Sequence, residues 1–204
     1  MEETLRRQLA ALVGTTGMGP GNVVSPSNIT QLREVLAACT AAGVAVAPDG
    51  STGADRADVA ISAEHLNAIL LDPEALLLHA GAAAAWPAIR EAGAAARLAV
   101  SGLPSVRSDR VGQSVALGEI AHRSLAGVDL LTGAGELISA GGRTLKDVVG
   151  YDLAGLTLGS GDRLGLIVAV TLRLEPAGAR TAAHPGLGPW RGDAGIDAVA
   201  AFIR

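Results

Sequence analysis

Aromatic side chains are scarce in this sequence. The 204 residues include only two Trp, one Tyr and one Phe, although hydrophobic residues make up 49% of the chain. Aliphatic and small side chains must therefore fill the core. Each of them buries little area, and burial contributes about 25 cal/mol per Å², so stability is expected to come from many small contacts. The length fits one domain with at most a small appendage.

Cysteine and long apolar runs are also nearly absent. The single cysteine, Cys39, cannot form an internal disulfide and lies in an apolar helical pattern, which predicts a buried side chain and a cytoplasmic protein. No run reaches the roughly 18 apolar residues of a membrane span. The N-terminus begins with acidic residues and has too short an apolar run for a signal peptide.

Charge and histidine spacing exclude two further classes. The net charge is −4 and the charges are scattered, so a nucleic-acid partner is not expected. The histidines do not lie at metal-ligand spacing, and no P-loop, nucleophile-elbow or CxxC motif is present. We therefore predict no metal site and identify no catalytic residue. The histidines are His65, His79, His122 and His184.

Helical and strand patterns alternate along the chain, which predicts a mixed α/β domain. Asn28 and Gln31 form a capping-box pattern before a helix that Gly43 should end. The other predicted helices are residues 2–12, 82–91 (closed by Gly93), 153–158 and 196–203, with a helical turn at 64–70. The predicted strands are residues 23–24, 44–47, 59–61, 76–79 and 166–174, with a hairpin at 128–131 and 136–139.

Three segments in order resemble the FAD-binding, PCMH-type domain of the vanillyl-alcohol oxidase superfamily. They are VVSPSNITQLREVLAACTAAGVAVAPDGSTG, ADVAISAEHLNAILLDPEALLLHAGA and GELISAGGRTLKDVVGYDLAGLTLGSGDRLGLIVAVTLRLEP. Within that superfamily they are most similar to the smaller FAD-binding subunit of bacterial glycolate oxidase. The resemblance implies an α+β domain with two small sheets flanked by helices over residues 23–176. Residues 1–22 would be an N-terminal helix and loop, residues 177–204 a short tail, and the substrate (cap) domain would be absent.

The resemblance also implies three contacts with non-covalently bound FAD, made by backbone N–H groups of glycine-rich loops. The first is the PDGSTG loop, whose other interpretation is an ordinary turn between strands. The second is VGQSVALG, which opens a short helix, and the third is the Gly-Ser loop before the last strand. The implied FAD-binding residues are Pro48, Gly50, Ser51, Thr52, Gly53, Gly112, Gln113, Ser114, Gly118, Gly159, Ser160, Gly165 and Ile167.

Several positions depart from the family pattern. Ser51, Thr52, Gln113 and Asp162 replace glycines, and Asp49 stands where the family usually has a basic residue; a carboxylate there opposes two phosphates. Arg163, which replaces a threonine, would pair with a phosphate or with Asp162. Only residues 119–126 stand where the family has a longer stretch that packs near the flavin ring, so most of that stretch is missing.

Two interpretations of function follow. In one, the chain binds FAD and supports 2-hydroxyacid oxidation of the glycolate or D-lactate type within a complex. In the other, it is a cofactor-free homologue that acts as a structural or regulatory partner of an active flavoprotein. Either predicts a homo-oligomer, or a hetero-complex with a larger flavin or iron–sulfur subunit. The loop with Lys146, Tyr151 and Asp152 would lie near the flavin or a subunit contact, or be a structural turn.

Overall fold

A computed structural model describes residues 2–51, 54–102, 106–141 and 152–178. The predicted C-terminal helix at residues 196–203 lies outside these ranges. Thr52, Gly53, Lys146 and Tyr151 also lie outside them.

The described chain contains five α-helices, nine strands and three short 3-10 helices. The helices are α1 (Glu3–Val13), α2 (Ile29–Ala41), α3 (Trp86–Ala95), α4 (Val111–Ala116) and α5 (Leu153–Thr157). The strands are β1 (Val23–Val24), β2 (Val46–Pro48), β3 (Val59–Ile61), β4 (Ile69–Asp72), β5 (Leu77–Gly81), β6 (Leu98–Val100), β7 (Leu125–Leu131), β8 (Leu137–Gly141) and β9 (Leu166–Pro176).

The strands form two sheets, and the fold is of the mixed α+β type. A three-stranded parallel sheet has the order β1-β3-β2. A six-stranded sheet has the order β4-β5-β9-β7-β8, and β6 pairs with the C-terminal end of β9. All pairs described in this larger sheet are antiparallel. As predicted, β9 is the long β-branched strand, and it forms the centre of the larger sheet.

Two hydrophobic clusters correspond to the two sheets. The first packs α1 and α2 on the small sheet, with Leu9, Val35 and Cys39 fully buried. The second covers one face of the larger sheet with α3 and α4, and Trp86 is its largest fully buried side chain. Leu131, at the end of β7, belongs to the first cluster, whereas its neighbour Leu130 belongs to the second. The small sheet therefore packs against one end of the larger one.

The capping box before α2 is confirmed, with one change of partner. The Asn28 side chain accepts a hydrogen bond from the Gln31 amide at 3.0 Å. The Gln31 side chain returns to the amide and hydroxyl of Ser27, at 2.9 and 2.8 Å, rather than to Asn28. Gly43 follows the helix with φ +65°, as its predicted role at the helix end requires.

The predicted helical turn at residues 64–70 is wrong, because β4 begins at Ile69. Ile69 and Leu71 pack against the larger core, while Leu70 between them is 67% exposed. This alternation has the period of two that belongs to a strand. Pairing with β5 at Leu70 and His79 fixes the register.

The predicted helix at residues 82–91 begins later and ends later than expected. Ala82 instead donates to the Val168 carbonyl in β9, so tertiary pairing overrides the helix propensity of the alanine run. Pro87, which lies in the first turn of α3, favours a helix start there. Gly93 lies inside α3, where a Cβ would be 2.9 Å from the Leu98 carbonyl oxygen. That close approach admits β6, a strand that the sequence pattern did not predict.

None of the helices in the described ranges is long and apolar enough to cross a membrane.

Candidate functional site

A cleft of about 410 Å³ lies between the two sheets' loops and α4, within the size range of small-molecule sites. Five segments meet around it: the turn after β2, the loop after β3, the chain before α3, the helix α4, and the loop leading into β9. The lining residues are Pro48, Asp49, Gly50, Ser51, Ile61, Ser62, Ala63, Glu64, Ala82, Ala83, Arg110, Gly112, Gln113, Ala116, Leu117, Gly161, Asp162, Leu166 and Ile167.

The first wall of the cleft is the turn that follows β2. Pro48 ends the strand, and the Ser51 amide closes the turn by donating to the Pro48 carbonyl at 3.1 Å. Gly50 has φ +75°, and apart from its chain neighbours no described residue has an atom within 4 Å of where a Cβ would stand. Its amide donates to no other described residue. The Ser51 Oγ is buried and has no hydrogen-bond partner in the described part of the chain. Open space and unused donors therefore meet at this turn.

The second wall is the N-terminal part of α4. A Cβ on Gly112 would lie 2.7 Å from the Cβ of Ala82 and 2.9 Å from its carbonyl oxygen, so glycine allows α4 to reach the chain before α3. The Gly112 amide donates to the Ala82 carbonyl at 2.9 Å. Gln113 is exposed and lines the cleft, and its amide donates to no described residue.

Ser114 lies away from the cleft, although the family resemblance implied a cofactor contact there. It is fully buried and accepts a hydrogen bond from the Trp86 indole Nε1 at 2.8 Å. A buried indole N–H needs such an acceptor. Gly118 does not line the cleft either; it has φ +71° and approaches Gly159, with a built Cβ 3.3 Å from the Gly159 Cα.

The third wall is the loop before β9, but most of the residues predicted to bind there do not line the cleft. The amides of Gly159 and Ser160 donate to the carbonyls of Val115 and Thr157, respectively. Gly165 packs under β7, where a Cβ would be 2.6 Å from the Leu131 carbonyl oxygen. Ile167 does line the cleft, as do Gly161 and Asp162.

The charges around the cleft are mostly negative. Asp49 and Glu64 are exposed, whereas Asp162 is half-buried, and burial raises the pKa of its carboxyl. Arg110 is the cation among the lining residues. It donates from a guanidinium nitrogen to the Ala83 carbonyl at 2.9 Å and forms no ion pair with any described residue. Arg163 forms no ion pair with Asp162 within the described ranges.

Arg110 and Glu64 were missed by the sequence reasoning. Arg110 directly precedes the VGQS motif. Its position could have indicated a place in the cleft, because a residue next to a cleft-lining segment lies close to the same cleft. Glu64 follows β3, whose end lies beside the end of β2 in the parallel sheet. The carboxyl ends of parallel strands meet at one edge, so both loops belonged among the candidates.

His122 and Asp152 form a separate exposed pair. The His122 Nε2 lies 2.6 Å from an Asp152 carboxylate oxygen. The other Asp152 oxygen accepts from the Gly155 amide at 2.8 Å, so Asp152 caps α5. The Gly155 amide first, and then His122, hold the pKa of Asp152 below its usual range. Within the described chain, Asp152 therefore has a structural role in this turn, while Lys146 and Tyr151 lie outside the described residues.

Sequence comparison finds relatives among FAD-linked oxidoreductases, although no protein-family model matches the chain. An uncharacterised FAD-linked oxidoreductase of Mycobacterium tuberculosis is 27% identical over 174 residues, covering 77% of this chain and 38% of that protein. The glycolate oxidase subunit GlcD of Bacillus subtilis is 25% identical over 180 residues (77% and 37%). D-2-hydroxyglutarate dehydrogenase of Xanthomonas citri pv. viticola is 30% identical over 173 residues (76% and 37%).

A solved structure of a variant of Phl p 4, a glucose oxidase, shares the fold. It superposes with a TM-score of 0.62 at 16% identity and covers 86% of this chain and 41% of that protein. The chain therefore spans less than half the length of the proteins it resembles. The similarities in sequence and in fold together support a relationship to the FAD-binding oxidase family.

Proposed function

We propose that the chain binds FAD non-covalently in the cleft and is an FAD-linked oxidoreductase subunit. The observation that carries the proposal is the convergence of the three glycine-rich segments on one cleft of about 410 Å³. These segments are far apart in the sequence, around residues 50, 112 and 161. The family resemblance implies a contact with the flavin nucleotide in each of them.

The donors on the cleft walls fit the diphosphate of such a ligand. Within the described residues, the amides of Gly50 and Gln113 donate to no acceptor, and Arg110 forms no ion pair although its guanidinium donates to the Ala83 carbonyl. Backbone amides in a glycine turn can approach a phosphate because no Cβ intervenes. A guanidinium adds charge-assisted hydrogen bonds. Gly50, Gln113 and Arg110 would hold the diphosphate.

The chemistry of the lining supports a non-covalent attachment. No described residue lining the cleft is a histidine or a cysteine. Cys39 is fully buried in the core below the small sheet, and burial raises the pKa of its thiol. A buried, protonated thiol is a poor nucleophile. Binding therefore rests on hydrogen bonds and packing.

We further propose that the reaction is oxidation of a 2-hydroxyacid within a complex. A flavin held by the cleft would supply the hydride acceptor for such a substrate. Two relatives are named as a glycolate oxidase subunit and a D-2-hydroxyglutarate dehydrogenase, and both substrates are 2-hydroxyacids. The matched region is under two-fifths of each relative's length, so substrate-binding groups would come from a further domain, a second copy, or a larger flavin or iron–sulfur subunit.

A second candidate is a cofactor-free partner of an active flavoprotein. The amides of Ser51, Gly112 and Gly161 already donate to carbonyls inside the protein. The described lining residues include three carboxylates and one cation, and this excess of negative charge opposes a diphosphate. These observations favour weak or absent flavin binding.

Titration with FAD separates the two candidates. We would measure quenching of flavin fluorescence by the wild-type protein, by Gln113→Trp and by Gln8→Trp. Gln113 is exposed in the cleft and Gln8 is exposed on α1, so the same substitution fills the cleft in one variant only. Saturable binding that Gln113→Trp abolishes and Gln8→Trp preserves supports the FAD site. No binding by the wild type supports the cofactor-free partner.

A further inference from the structure

Asp162 is a carboxylate in the wall of the cleft that has no partner among the described residues. It is half-buried and lines the cleft, yet it forms no hydrogen bond or ion pair with a described residue. Burying a carboxylate costs free energy unless hydrogen bonds replace its water. The other two carboxylates are exposed and remain hydrated, since Asp49 and Glu64 lie at the surface. Asp162 is therefore the acidic group whose position calls for a ligand.

The backbone fixes Asp162 in this place. Gly161 and Asp162 have φ of +60° and +61°, and the Gly161 amide donates to the Ala116 carbonyl of α4 at 2.9 Å. Aspartate tolerates this left-handed region better than most residues. The turn thus directs a short carboxylate into the cleft beside α4, where a longer side chain would occupy more of the space.

The buried Ser51 hydroxyl is a second polar atom of the same cleft that has no hydrogen-bond partner among the described residues. An ionised carboxylate only accepts hydrogen bonds, whereas a hydroxyl both donates and accepts. Two such groups in one cleft match a ligand that carries several hydroxyls. A bare phosphate would offer no donor to the carboxylate.

We propose that Asp162 accepts hydrogen bonds from a vicinal diol of the ligand, and so selects a ribose or ribityl group. Its two oxygens suit two neighbouring hydroxyls. The proposal deepens the proposed function, on which it rests for the identity of the ligand as a flavin nucleotide. It also assigns the acidic side of the cleft a role that the diphosphate donors do not provide.

Ligand fragments test the proposal without a loaded enzyme. The affinities of adenosine and 2′-deoxyadenosine, and of riboflavin and lumiflavin, would be measured by NMR titration; each pair differs in its hydroxyls. The proteins are the wild type, Asp162→Asn and Asp49→Asn. Asparagine keeps the size of the side chain and tolerates positive φ. Asp49→Asn makes the same charge change in the same cleft at an exposed position.

The wild type should prefer the diol-bearing member of at least one pair by about ten- to a hundredfold, as expected for hydrogen bonds to a charged group. Asp162→Asn should remove most of that preference, and Asp49→Asn should retain it. The pair that responds identifies the ribose or the ribityl chain as the source of the diol. Equal or tighter binding of the diols by Asp162→Asn, or no diol preference in either pair, overturns the proposal.

FAD titrated in the same experiment keeps the two claims apart. If FAD binds and Asp162→Asn leaves the diol preference unchanged, the role of Asp162 fails while the flavin site stands. If FAD does not bind but a diol fragment does, in an Asp162-dependent way, the proposed function fails and the diol site stands. Absence of binding by every ligand overturns both.

Discussion

Replacing Ser114 with alanine should destabilise the protein without weakening ligand binding. Ser114 is 0% exposed and Trp86 is 2% exposed, and their hydrogen bond is 2.8 Å long. Ser114→Ala leaves the indole N–H buried without an acceptor, which costs about 1–3 kcal/mol. For a domain of this size, each kcal/mol lowers Tm by about 2–4 °C. A loss of about 2 kcal/mol would therefore lower Tm by about 4–8 °C.

Urea unfolding of a double-mutant cycle measures the coupling free energy between Ser114 and Trp86. Trp86→Phe removes the donor and also some buried volume, so the single variants should each lose stability and the double variant should lose less than their sum. The coupling should lie within about 0.5–3 kcal/mol. FAD titration of Ser114→Ala gives the second reading. Unchanged stability together with weaker FAD binding would refute the placement of Ser114 in the core and return it to the cofactor site.

Three further predictions concern other positions. Gly112→Ala should destabilise the protein by about 1–3 kcal/mol, because the new Cβ would be 2.7 Å from the Cβ of Ala82. Gly133→Ala, whose Cβ would have no described atom within 4 Å beyond its chain neighbours, should change stability by less than about 0.5 kcal/mol. Equal losses of stability in urea unfolding would contradict the packing of Gly112 against Ala82. Asp162→Asn should stabilise the protein at neutral pH, because burial raises the Asp162 pKa and so disfavours the ionised folded state. That gain should vanish in thermal melts as pH falls below the ordinary aspartate pKa of about 3.9, where Asp162 is protonated in both states; a gain that persists there would refute the cause. Asp152→Ala should cost about 1 kcal/mol by removing the cap of α5. Because the pKa of Asp152 is lowered in the folded protein, the stabilisation by its carboxylate is present above the unfolded-state pKa and is lost as the pH falls through the folded-state pKa. If the stability difference between wild type and Asp152→Ala stays constant down to strong acid, the ionised carboxylate is not its source.

Local patterns predicted much of the fold. The capping box of Asn28 and Gln31, the β-branched run of β9, and the hairpin of β7 and β8 each carry their own signal in neighbouring residues. The errors came from long-range contacts. The sequence pattern predicts helix for residues 82–85 because alanine favours it, but residues 82 and 83 form a turn and the Ala82 amide donates to the Val168 carbonyl. The alternation of Ile69, Leu70 and Leu71 is too short to distinguish from a helical turn.

The site was predicted in outline only. Resemblance placed Gly50, Gly112 and Ile167, which do line the cleft. It could not separate glycines that face the cleft from glycines that permit close packing, such as Gly118 beside Gly159 and Gly165 beneath Leu131. That distinction depends on which atoms stand opposite each glycine. The sequence did not predict Arg110 and Glu64 as lining residues, because they come together only where loops that are distant in the sequence meet.

Binding of FAD to the purified protein is the most direct test of the central claim. We would dialyse the wild type and Gln113→Trp to equilibrium against FAD and measure retained flavin by its visible absorption. The predicted result is one FAD retained per wild-type chain at saturation and none retained by Gln113→Trp. If the wild-type protein retains no more flavin than Gln113→Trp, the claim that Gly50, Gln113 and Arg110 form a flavin nucleotide site is contradicted.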